Sequence, residues 1–441
     1  MASLSRRSFL AASGVVAAST LGAVAAPGEV DIVIVGAGAA GIAAARRVAA
    51  AGRRFALIEA TSRVGGRCMT DRQSFGVPFD RGAHWIHMPD INPLAKLAPQ
   101  SGLDIYPAPP GQRIRIGRRN AREGETEDFL AALVRANRAI ADAARGKADI
   151  SCAQALPRDL GEWRSTIEFI LGPFGCAKNL DEISAIDFAR SSERDVDAFC
   201  RQGFGTLLEK LAGRIPVQLS TAATRITSTK SSVEIDTTKG TLTARGVIIT
   251  ASTGVLNAGK IKFNPELPKR QADALAKLTL GSYDHVAIEF SGNPLGLQND
   301  DLVFEKATGE RTAALLANVA GSTLCMVEIA ARFGKSLATA GENAMIAFAQ
   351  DWLADLYGPE IRRAIKRTQA TQWANEPWVL GSFSAASPGA QSGRKVLSEP
   401  LRDRIWFAGE AVHETLWGTV GGAWESGDRA AAAALKQLKL A

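Results

Sequence analysis

The sequence is poor in the side chains from which metal centres are built. It contains only four histidines and five cysteines in 441 residues. The cysteines form no C-x-x-C pair, and the histidines show no ligand spacing. Structural zinc sites depend on such short paired spacings. We therefore expect no metal ion, while the pairing of the cysteines in a disulfide stays open. The cysteines are Cys68, Cys152, Cys176, Cys200 and Cys325.

Long blocks of positive charge are also absent. The formal net charge is +7, but the lysines and arginines are spread along the chain. Nucleic-acid-binding proteins usually concentrate positive charge on one surface. We therefore expect a solvated basic surface and no nucleic-acid partner. The apolar N-terminal run is too short and too weakly apolar for a stable membrane span. The chain length predicts about two domains.

The N-terminal segment has the pattern of an export signal. Arg6 and Arg7 precede an apolar run rich in alanine and glycine, and residues 23–25 (A-V-A) offer a small-residue cleavage site. Adjacent arginines before such a run are typical of bacterial twin-arginine signals. We expect residues 1–26 to be a signal peptide for the twin-arginine export machinery, which makes the protein periplasmic or exported. A frayed helical N-terminus is the alternative.

One stretch reads in order as strand, glycine turn, helix, strand and acid. Its turn is G-x-G-x-x-G, formed by Gly36, Gly38 and Gly41, and its second strand ends at Glu59. The glycines allow a tight turn, backbone approach to a pyrophosphate and close helix packing, and the acid accepts hydrogen bonds from a ribose. The helix start, around Ala40, directs N–H groups at the phosphate. This order predicts a dinucleotide site, with an ordinary glycine-rich turn as the alternative.

The residues that follow Glu59 narrow the choice of cofactor. Two glycines and an arginine suit a second pass of backbone beside a pyrophosphate, with a guanidinium on its charge. Here the sequence resembles the flavin-containing amine oxidase family, which includes monoamine oxidases, polyamine oxidases and lysine-specific histone demethylases. The FAD signature of that family is E-A-x-x-R-x-G-G-R, so the resemblance favours FAD over NAD. The matching residues are Glu59, Ala60, Arg63, Gly65, Gly66 and Arg67.

A second match is the segment G-A-H-W-I-H at residues 82–87. It is similar to the polyamine oxidase form of the segment beside the flavin. The resemblance places Ala83, His84 and Trp85 at the flavin. It also places His87 in the substrate channel, where the ring can hydrogen-bond a substrate nitrogen. Without the resemblance, this histidine would be interpreted as structural, in a loop with one half-buried aromatic residue.

The middle of the chain adds one match and one departure from the family pattern. Residues 222–226 resemble the adenine-side strand of the family, where backbone at Ala223 meets the base. Residues 254–263 resemble its G-V-L-K stretch, and we expect there the lysine that holds a water at flavin N5. Read without a gap, that position is Asn257. Lys260 lies three residues further on and is the substitute if the loop differs.

The pattern W-x-x-x-P-W-x-x-G-S-F-S, which begins at Trp373, is a specific match to the family. Trp373 is expected to pack near the flavin ring. Ser382 stands where monoamine oxidases carry a flavin-linking cysteine, so the resemblance implies FAD that is held without a covalent bond. Phe383 matches one aromatic wall of the amine site above the flavin.

The last match comprises F-A-G-E and W-G-T-V-G-G-A, residues 407–410 and 417–423. The resemblance brings Glu410 to the ribityl and pyrophosphate, and the following helix points its N-terminus at the isoalloxazine. Thr419 stands where monoamine oxidases have a second cage tyrosine, and Trp417 is the candidate to replace that wall. The cofactor contacts expected here are Gly409, Glu410, Thr419, Val420 and Ala423.

These matches imply an α/β fold. A doubly wound, Rossmann-type FAD-binding domain is expected at residues 28–90, 200–282 and 373–441. An α+β substrate domain of antiparallel sheet and helices is expected as an insertion at residues 91–199 and 283–372.

The resemblance implies oxidation of an amine C–N bond to an imine by hydride transfer to flavin N5, followed by hydrolysis. Molecular oxygen, giving H2O2, or an electron-carrier protein would reoxidise the FAD. His87 and Thr419 favour a polyamine or secondary amine as the substrate. Two alternatives stay open. One is an oxidase of another small amine or an L-amino acid, for which no arginine clamp is evident. The other is a non-catalytic FAD-binding protein, which Asn257 suggests.

Overall fold

The computed structural model describes residues 30–191 and 196–440. The expected signal peptide, residues 1–26, lies outside the described residues. The strands are β1 Val30–Val35, β2 Phe55–Ile58, β3 Thr70–Asp71, β4 Phe79–Asp80, β5 Ile86–His87, β6 Ile105–Pro107, β7 Arg113–Ile116, β8 Arg119–Asn120, β9 Asp197–Cys200, β10 Val217–Gln218, β11 Ala223–Ser228, β12 Val233–Thr237, β13 Gly240–Ile249, β14 Lys262–Asn264, β15 Tyr283–Phe290, β16 Leu302–Glu305, β17 Ala314–Leu316, β18 Leu324–Ala330, β19 Ile365–Ala370 and β20 Ile405–Phe407.

The α-helices are α1 Ala39–Ala50, α2 Pro93–Gln100, α3 Glu123–Ala143, α4 Cys152–Ala155, α5 Arg164–Phe169, α6 Ala185–Arg190, α7 Phe204–Ala212, α8 Thr253–Asn257, α9 Lys269–Lys277, α10 Ala331–Ala340, α11 Glu342–Tyr357, α12 Gly393–Ser398 and α13 Val420–Gln437.

The first sheet positions the glycine turn. Its strands lie in the order β10-β2-β1-β13-β12-β11-β14, and β20 pairs with β13. The strand β1 consists of buried valine and isoleucine apart from the half-buried Asp31. It lies parallel to both β2 and β13, so the carboxyl ends of these strands meet at one edge. In open parallel sheets, ligands bind at that edge. Gly36 and Glu59 follow β1 and β2 directly, and are therefore neighbours there.

Two helices on this sheet approach each other through small residues. A Cβ on Gly427 of α13 would lie 2.0 Å from the Ala40 carbonyl oxygen of α1. The helix α13 begins where the hydroxyl of Thr419 accepts a hydrogen bond of 2.9 Å from Gly422 N–H, an N-cap contact that stabilises a helix start. The C-terminal helix thus lies against the helix that follows the glycine turn.

The second sheet has the order β19-β15-β18-β17-β16-β7-β8, and it is antiparallel except where β7 pairs with β16. The strand β18 is buried along its whole length, and one face of the sheet packs on α11 through Met345, Trp352 and Leu353. A third, small sheet joins β5, β9 and β6, and pairs His87 with Asp197.

The predicted fold class is confirmed, because a mixed sheet with the β1–α1–β2 unit is combined with a mainly antiparallel sheet and helices. The domain boundaries stay a prediction, although strands of the first sheet come from residues 30–58, 217–264 and 405–407. Within the described ranges, no helix combines the length and hydrophobicity that a membrane crossing requires. The same residues hold no group of three or more potential metal ligands.

Candidate functional site

One cavity of about 430 Å³ brings most of the expected site residues together. Residues from both large sheets and from the loop before β5 line it. Of the predicted cofactor residues, Gly41 alone lies outside the lining. Those in the lining are Gly36, Gly38, Ala40, Glu59, Ala60, Arg63, Gly66, Arg67, Ala83, His84, Trp85, Ala223, Trp373, Gly409, Glu410, Thr419, Val420 and Ala423.

The glycine turn forms a cradle of backbone. Gly36 has a φ of +100°, and a Cβ there would lie 2.6 Å from the hydroxyl of Thr250. Gly38 pairs with Gly65 as parallel backbone, and the Gly65 N–H donates a 2.9 Å hydrogen bond to the Ala37 carbonyl. Two passes of backbone without side chains thus lie side by side at the start of α1. This arrangement fits a pyrophosphate.

Gly41 has a packing role that supports the cradle. A Cβ there would lie 1.8 Å from the Gly36 carbonyl oxygen, a contact with backbone that no rotamer can relieve. The helix α1 can therefore approach β1 only because this residue has no side chain. This is the close helix packing expected of the third glycine in such a turn.

Glu59 is held in a fixed orientation at the edge of the cavity. Its carboxylate accepts hydrogen bonds from the Ala37 N–H at 2.8 Å and from the Thr61 N–H at 2.9 Å. The Thr61 hydroxyl donates a third, of 2.8 Å. The side chain is buried and lies where β2 ends, next to the cradle. A fixed acceptor at this place fits the ribose of a dinucleotide.

The structure changes the interpretation of Arg67 and Glu410. We expected the guanidinium to neutralise a pyrophosphate, but it lies 2.9 Å from the Glu410 carboxylate and 2.6 Å from the Ser382 carbonyl. Glu410 also accepts hydrogen bonds from the Ser384 hydroxyl and the Gly418 N–H. Burial alone would raise the pKa of Glu410, but Arg67, Ser384 and Arg394 together hold it below its usual value. The pair joins the FAD signature to the C-terminal motif.

The aromatic walls of the cavity are Phe383 and Tyr283, whose ring centroids are 5.8 Å apart. The ring centroid of Phe174 lies 6.3 Å from that of Tyr283, and Phe174 also lines the cavity. Trp417, which was the expected second wall, lies outside the lining. Its buried ring packs under the guanidinium of Arg394 at 4.8 Å.

Tyr283 is a site residue that none of the sequence motifs indicated. The available signal was periodicity, since residues i and i+2 of a strand lie on one face. Tyr283 and His285 are two residues apart, and both line the cavity. Tyrosine is also rare in this sequence, with three residues, so each tyrosine could have been considered as a candidate site residue.

Asn257 and Lys260 lie outside the cavity lining, contrary to expectation. The helix α8 begins at the cavity, where Ser252 and Val255 line it, and the next turn points elsewhere. The Asn257 amide donates a hydrogen bond to the Leu275 carbonyl at 2.8 Å. The Lys260 ammonium lies over the ring of Trp378, 4.8 Å from its centroid. No lysine lines the cavity among the residues that the structure describes.

The two histidines of the H-W-I-H segment have different surroundings. His84 is buried, with Nδ1 2.8 Å from an Asp80 oxygen, and its ring stacks on Phe199. His87 is half-buried, and its Nδ1 lies 2.6 Å from an Asp197 oxygen. The side chains of His87 and Asp197 both line the cavity. The first histidine thus supports the wall, whereas the second belongs to an acid–base pair that faces the cavity.

Thr419 lines the cavity, but its hydroxyl is already engaged. It donates to the Leu416 carbonyl at 2.7 Å and accepts from the Gly422 N–H. The residue therefore caps α13 and presents mainly its methyl group and backbone to a ligand.

Comparison with known proteins agrees with this geometry. The family model described as flavin containing amine oxidoreductase matches residues 39–435. The chain belongs to this family. The family is described as one of flavin-containing amine oxidoreductases, and the cofactor is FAD. Lysine-specific histone demethylase 2 of Homo sapiens is 24% identical to it over 453 residues, which are 91% of this chain and 53% of that protein. The chain thus spans about half the length of that relative.

Another relative has a length similar to that of this chain. Polyamine oxidase 4 of Oryza sativa subsp. japonica is 24% identical over 442 residues, which are 92% of this chain and 89% of that protein. Among solved structures, cyclohexylamine oxidase from Brevibacterium oxydans IH-35A has a TM-score of 0.79 at 21% identity, over 93% of this chain and 100% of that one. Putrescine oxidase bound to putrescine has a TM-score of 0.78 at 18% identity, over 92% of this chain and 98% of that one. These structural likenesses show the fold.

Proposed function

We propose that this protein oxidises the C–N bond of an amine to an imine, which water then hydrolyses. The observation that carries the proposal is the continuity of one cavity, which joins the glycine cradle to the aromatic walls Phe383 and Tyr283. The FAD supplies a hydride acceptor and is reoxidised by O2, giving H2O2, or by an electron carrier.

The residues of the chain bind and orient the two reactants. The cradle from Gly36 to Gly38 and the acid Glu59 hold the dinucleotide. Phe383 and Tyr283 offer faces between which an apolar carbon chain and a cationic or neutral nitrogen can lie, since aromatic rings attract cations as well as apolar groups. Trp373 donates a 2.7 Å hydrogen bond to the Arg81 carbonyl, which fixes its ring beside the cavity.

We propose a diamine or polyamine as the substrate class, and this rests on His87 and Asp197. Four carboxylates line the described part of the cavity. Glu59 and Glu410 are engaged by the hydrogen bonds described above, and Glu376 lies near Arg63. Asp197 is paired with a histidine on the neighbouring strand. That pair can accept a hydrogen bond from a second, charged nitrogen of the substrate. The polyamine and putrescine oxidases among the relatives support this choice.

A panel of amines tests the proposal. Purified, FAD-loaded protein is mixed without oxygen with spermidine, N-acetylspermine, putrescine, cyclohexylamine, benzylamine and L-amino acids, and flavin bleaching is recorded; peroxide is measured in air. We expect bleaching that is fastest with an amine that carries two or more nitrogens. Preference for a monoamine or an amino acid would contradict the substrate class. An absence of bleaching by all of them would favour the non-catalytic alternative. That alternative stays open, since no lysine lines the cavity among the residues that the structure describes.

Phe383→Ala removes one aromatic wall and leaves the glycine cradle intact. We expect kcat/KM for the preferred amine to fall about tenfold or more, because one aromatic face over a cation contributes about 1–2 kcal/mol when water is excluded. FAD content, measured from the flavin absorbance per protein, is expected to stay at the level of the unchanged protein. A Phe383→Tyr variant, which keeps the ring, is the control. Equal losses in both variants would contradict the role of the aromatic face.

We infer that FAD is held without a covalent bond, because Ser382 stands where monoamine oxidases carry a flavin-linking cysteine and has no sulfur from which a thioether could form. After precipitation of the protein with acid or heat, the yellow colour is expected in the supernatant. A yellow precipitate that survives washing with denaturant would show a covalent link, and the thiol of Cys68, which also lines the cavity, would then be the first residue to examine.

We also propose export through the twin-arginine route, on the basis of Arg6, Arg7 and the small residues 23–25. In a bacterial host with that route, the protein is expected in the periplasm with a shortened N-terminus, as N-terminal sequencing would detect. Replacement of both arginines by lysine is expected to retain the protein inside the cell. Equal export of this variant would contradict the proposal.

A further inference from the structure

An amine substrate has a protonation problem in this cavity. An alkylammonium of the lysine type has a pKa of about 10.4, so it arrives charged at neutral pH. If the proposed function is correct, its nitrogen must lose a proton before the C–N bond can be oxidised, since the lone pair forms the new bond of the imine. A group that lines the cavity, or connects to it, has to accept that proton.

Tyr283 connects the cavity to a buried acid. Its ring forms a wall beside Phe383, and its hydroxyl donates a hydrogen bond to Glu328 Oε2. Glu328 lies on the adjacent strand β18 and is 0% exposed. Each of the acids in the lining already has a partner or a neighbouring cation. The Tyr283–Glu328 pair leads from an aromatic wall of the cavity to a carboxyl isolated from solvent.

The surroundings of Glu328 suit a carboxyl that holds a proton. His285 lies opposite it across β15 and β18, and the His285 Nε2 lies 3.0 Å from the Gly82 carbonyl oxygen. A carbonyl only accepts hydrogen bonds, so Nε2 carries the hydrogen of the neutral ring and Nδ1 presents a lone pair. That Nδ1 lies 3.8 Å from Glu328 Oε1. Neither atom has a hydrogen-bond partner within the described ranges.

Two lone pairs therefore face each other in a place without water access. A carboxylate in this position leaves both atoms unsatisfied, which is costly for buried polar groups. At 3.8 Å the two atoms are too far apart for a hydrogen bond, but a proton on Glu328 Oε1 would remove the repulsion between their lone pairs. Burial and the facing lone pair of His285 thus favour the neutral carboxyl, while the hydrogen bonds from Tyr283 and Trp85 favour the carboxylate.

We propose that Glu328 receives the proton of the substrate ammonium through the hydroxyl of Tyr283. The ammonium N–H bond breaks, and its electron pair stays on nitrogen as the lone pair. The proton moves to the Tyr283 oxygen, while the phenolic proton of Tyr283 moves to Glu328. Tyr283 is neutral before and after, and one positive charge on the substrate and one negative charge on Glu328 disappear together. Tyr283 touches the substrate, and Glu328 acts through it.

The pKa values of Glu328, His285 and Tyr283 agree with proton transfer from the substrate toward Glu328. Burial raises the pKa of Glu328 to about 7, in spite of Tyr283, His84 and Trp85. Burial, together with His84, lowers the pKa of His285 to about 4, so this ring stays neutral. Burial and Glu328 raise the pKa of Tyr283, which stays a phenol. The remaining charged group nearby is Asp80, which pairs with His84.

The pKa of Glu328 determines how the rate of flavin reduction is expected to depend on pH. Above about pH 7, Glu328 is ionised and can take the proton, whereas below that pH it already holds one. The rate constant for flavin reduction at low amine concentration is therefore expected to rise with pH through about 7. This ionisation belongs to the protein, so it is expected with every amine that reduces the flavin.

Two variants separate the relay from a structural role. Glu328→Gln keeps the acceptor for Tyr283, places an amide N–H toward His285 Nδ1, and cannot take a proton. Tyr283→Phe keeps the aromatic wall and removes the hydroxyl. The matched control is Tyr357→Phe, because the Tyr357 hydroxyl is buried outside the cavity lining and has no partner in the described part of the chain. All are loaded with FAD and reduced without oxygen by the best amine of the panel, across the pH range around neutrality.

We expect both relay variants to reduce FAD about 10²-fold more slowly on the alkaline side, the usual contribution of a positioned base, and to lose the rise near pH 7. The control is expected to match the unchanged protein. In resting FAD-loaded protein, an infrared band of a protonated carboxyl is expected to fade as pH passes 7, and to be missing in Glu328→Gln. That readout does not depend on turnover.

Several outcomes would overturn the relay alone. One is an unchanged rate, or a slower rate with an unchanged pH profile, in both variants. Another is loss of the rise near pH 7 in His87→Asn but not in Glu328→Gln, which would assign the base to the His87–Asp197 pair. If no amine reduces the flavin of the unchanged protein, the proposed function fails and the relay fails with it.

Discussion

Gly41→Ala is expected to give a protein that contains little or no FAD. The added Cβ would lie 1.8 Å from the Gly36 carbonyl oxygen, and real Cβ atoms do not approach backbone so closely. The helix α1 would have to move away from β1, and the cradle of N–H groups would move with it. Overpacking of this kind usually costs about 1–3 kcal/mol of stability. The effect on cofactor binding is expected to be larger, because the pyrophosphate contacts depend on that backbone geometry.

The matched control is Gly124→Ala near the start of α3. A Cβ there meets nothing within 4 Å, and the residue does not line the cavity. We expect this variant to be yellow and at least as stable as the unchanged protein, because alanine is the better helix former. Flavin absorbance per protein after purification, and again after incubation with added FAD, is the measurement. Full FAD content in Gly41→Ala would show that α1 is not held at this distance.

Asp187→Ala is expected to lower the free energy of unfolding by about 3–5 kcal/mol, the usual cost of breaking a buried ion pair from one side. Asp187 and Arg394 are each 1% exposed at the side chain and form two hydrogen bonds, of 2.8 and 2.7 Å. Removal of the acid leaves a buried guanidinium without its counter-ion. Because Arg394 also donates to the Ser384 hydroxyl at 3.1 Å, and Ser384 donates to Glu410, the loss extends to the cavity.

Chemical denaturation of the FAD-loaded protein, followed by flavin release and by circular dichroism, measures this effect. We expect the flavin to be released at a lower denaturant concentration in Asp187→Ala. Glu399→Ala is the control, since Glu399 pairs with Arg270 at the surface and exposed pairs contribute little. Similar midpoints for the two variants would mean that the Asp187–Arg394 pair is not isolated from solvent.

Local motifs were enough to predict which residues surround the glycine turn at one end of the cavity. The spacing of Gly36, Gly38 and Gly41 indicates the backbone conformation directly. Each glycine stands where a side chain would clash with backbone or a neighbouring element, or would block close approach of a ligand. Glu59 follows the next strand of the same unit, so its place at the sheet edge is also a local consequence.

The substrate half depended on contacts that sequence order does not contain. Asp197 reaches His87 because β5 and β9 pair across 110 residues. Glu328 faces Tyr283 and His285 only because of the register between β15 and β18. A shift of one residue in that register would turn the carboxyl to the other face of the sheet.

The sequence by itself determined the family, the flavin and the backbone conformation of the glycine turn, since short motifs carry the first two and short-range sterics fix the third. Tertiary structure decided which charges are free and which aromatic ring is a wall. It paired Arg67 with Glu410, buried Trp417 in the core, placed Tyr283 in the cavity, and turned Asn257 and Lys260 away from it. Those outcomes depend on how distant elements pack, because burial and neighbouring charges set the chemistry of a side chain, and neither can be read from its position in the chain.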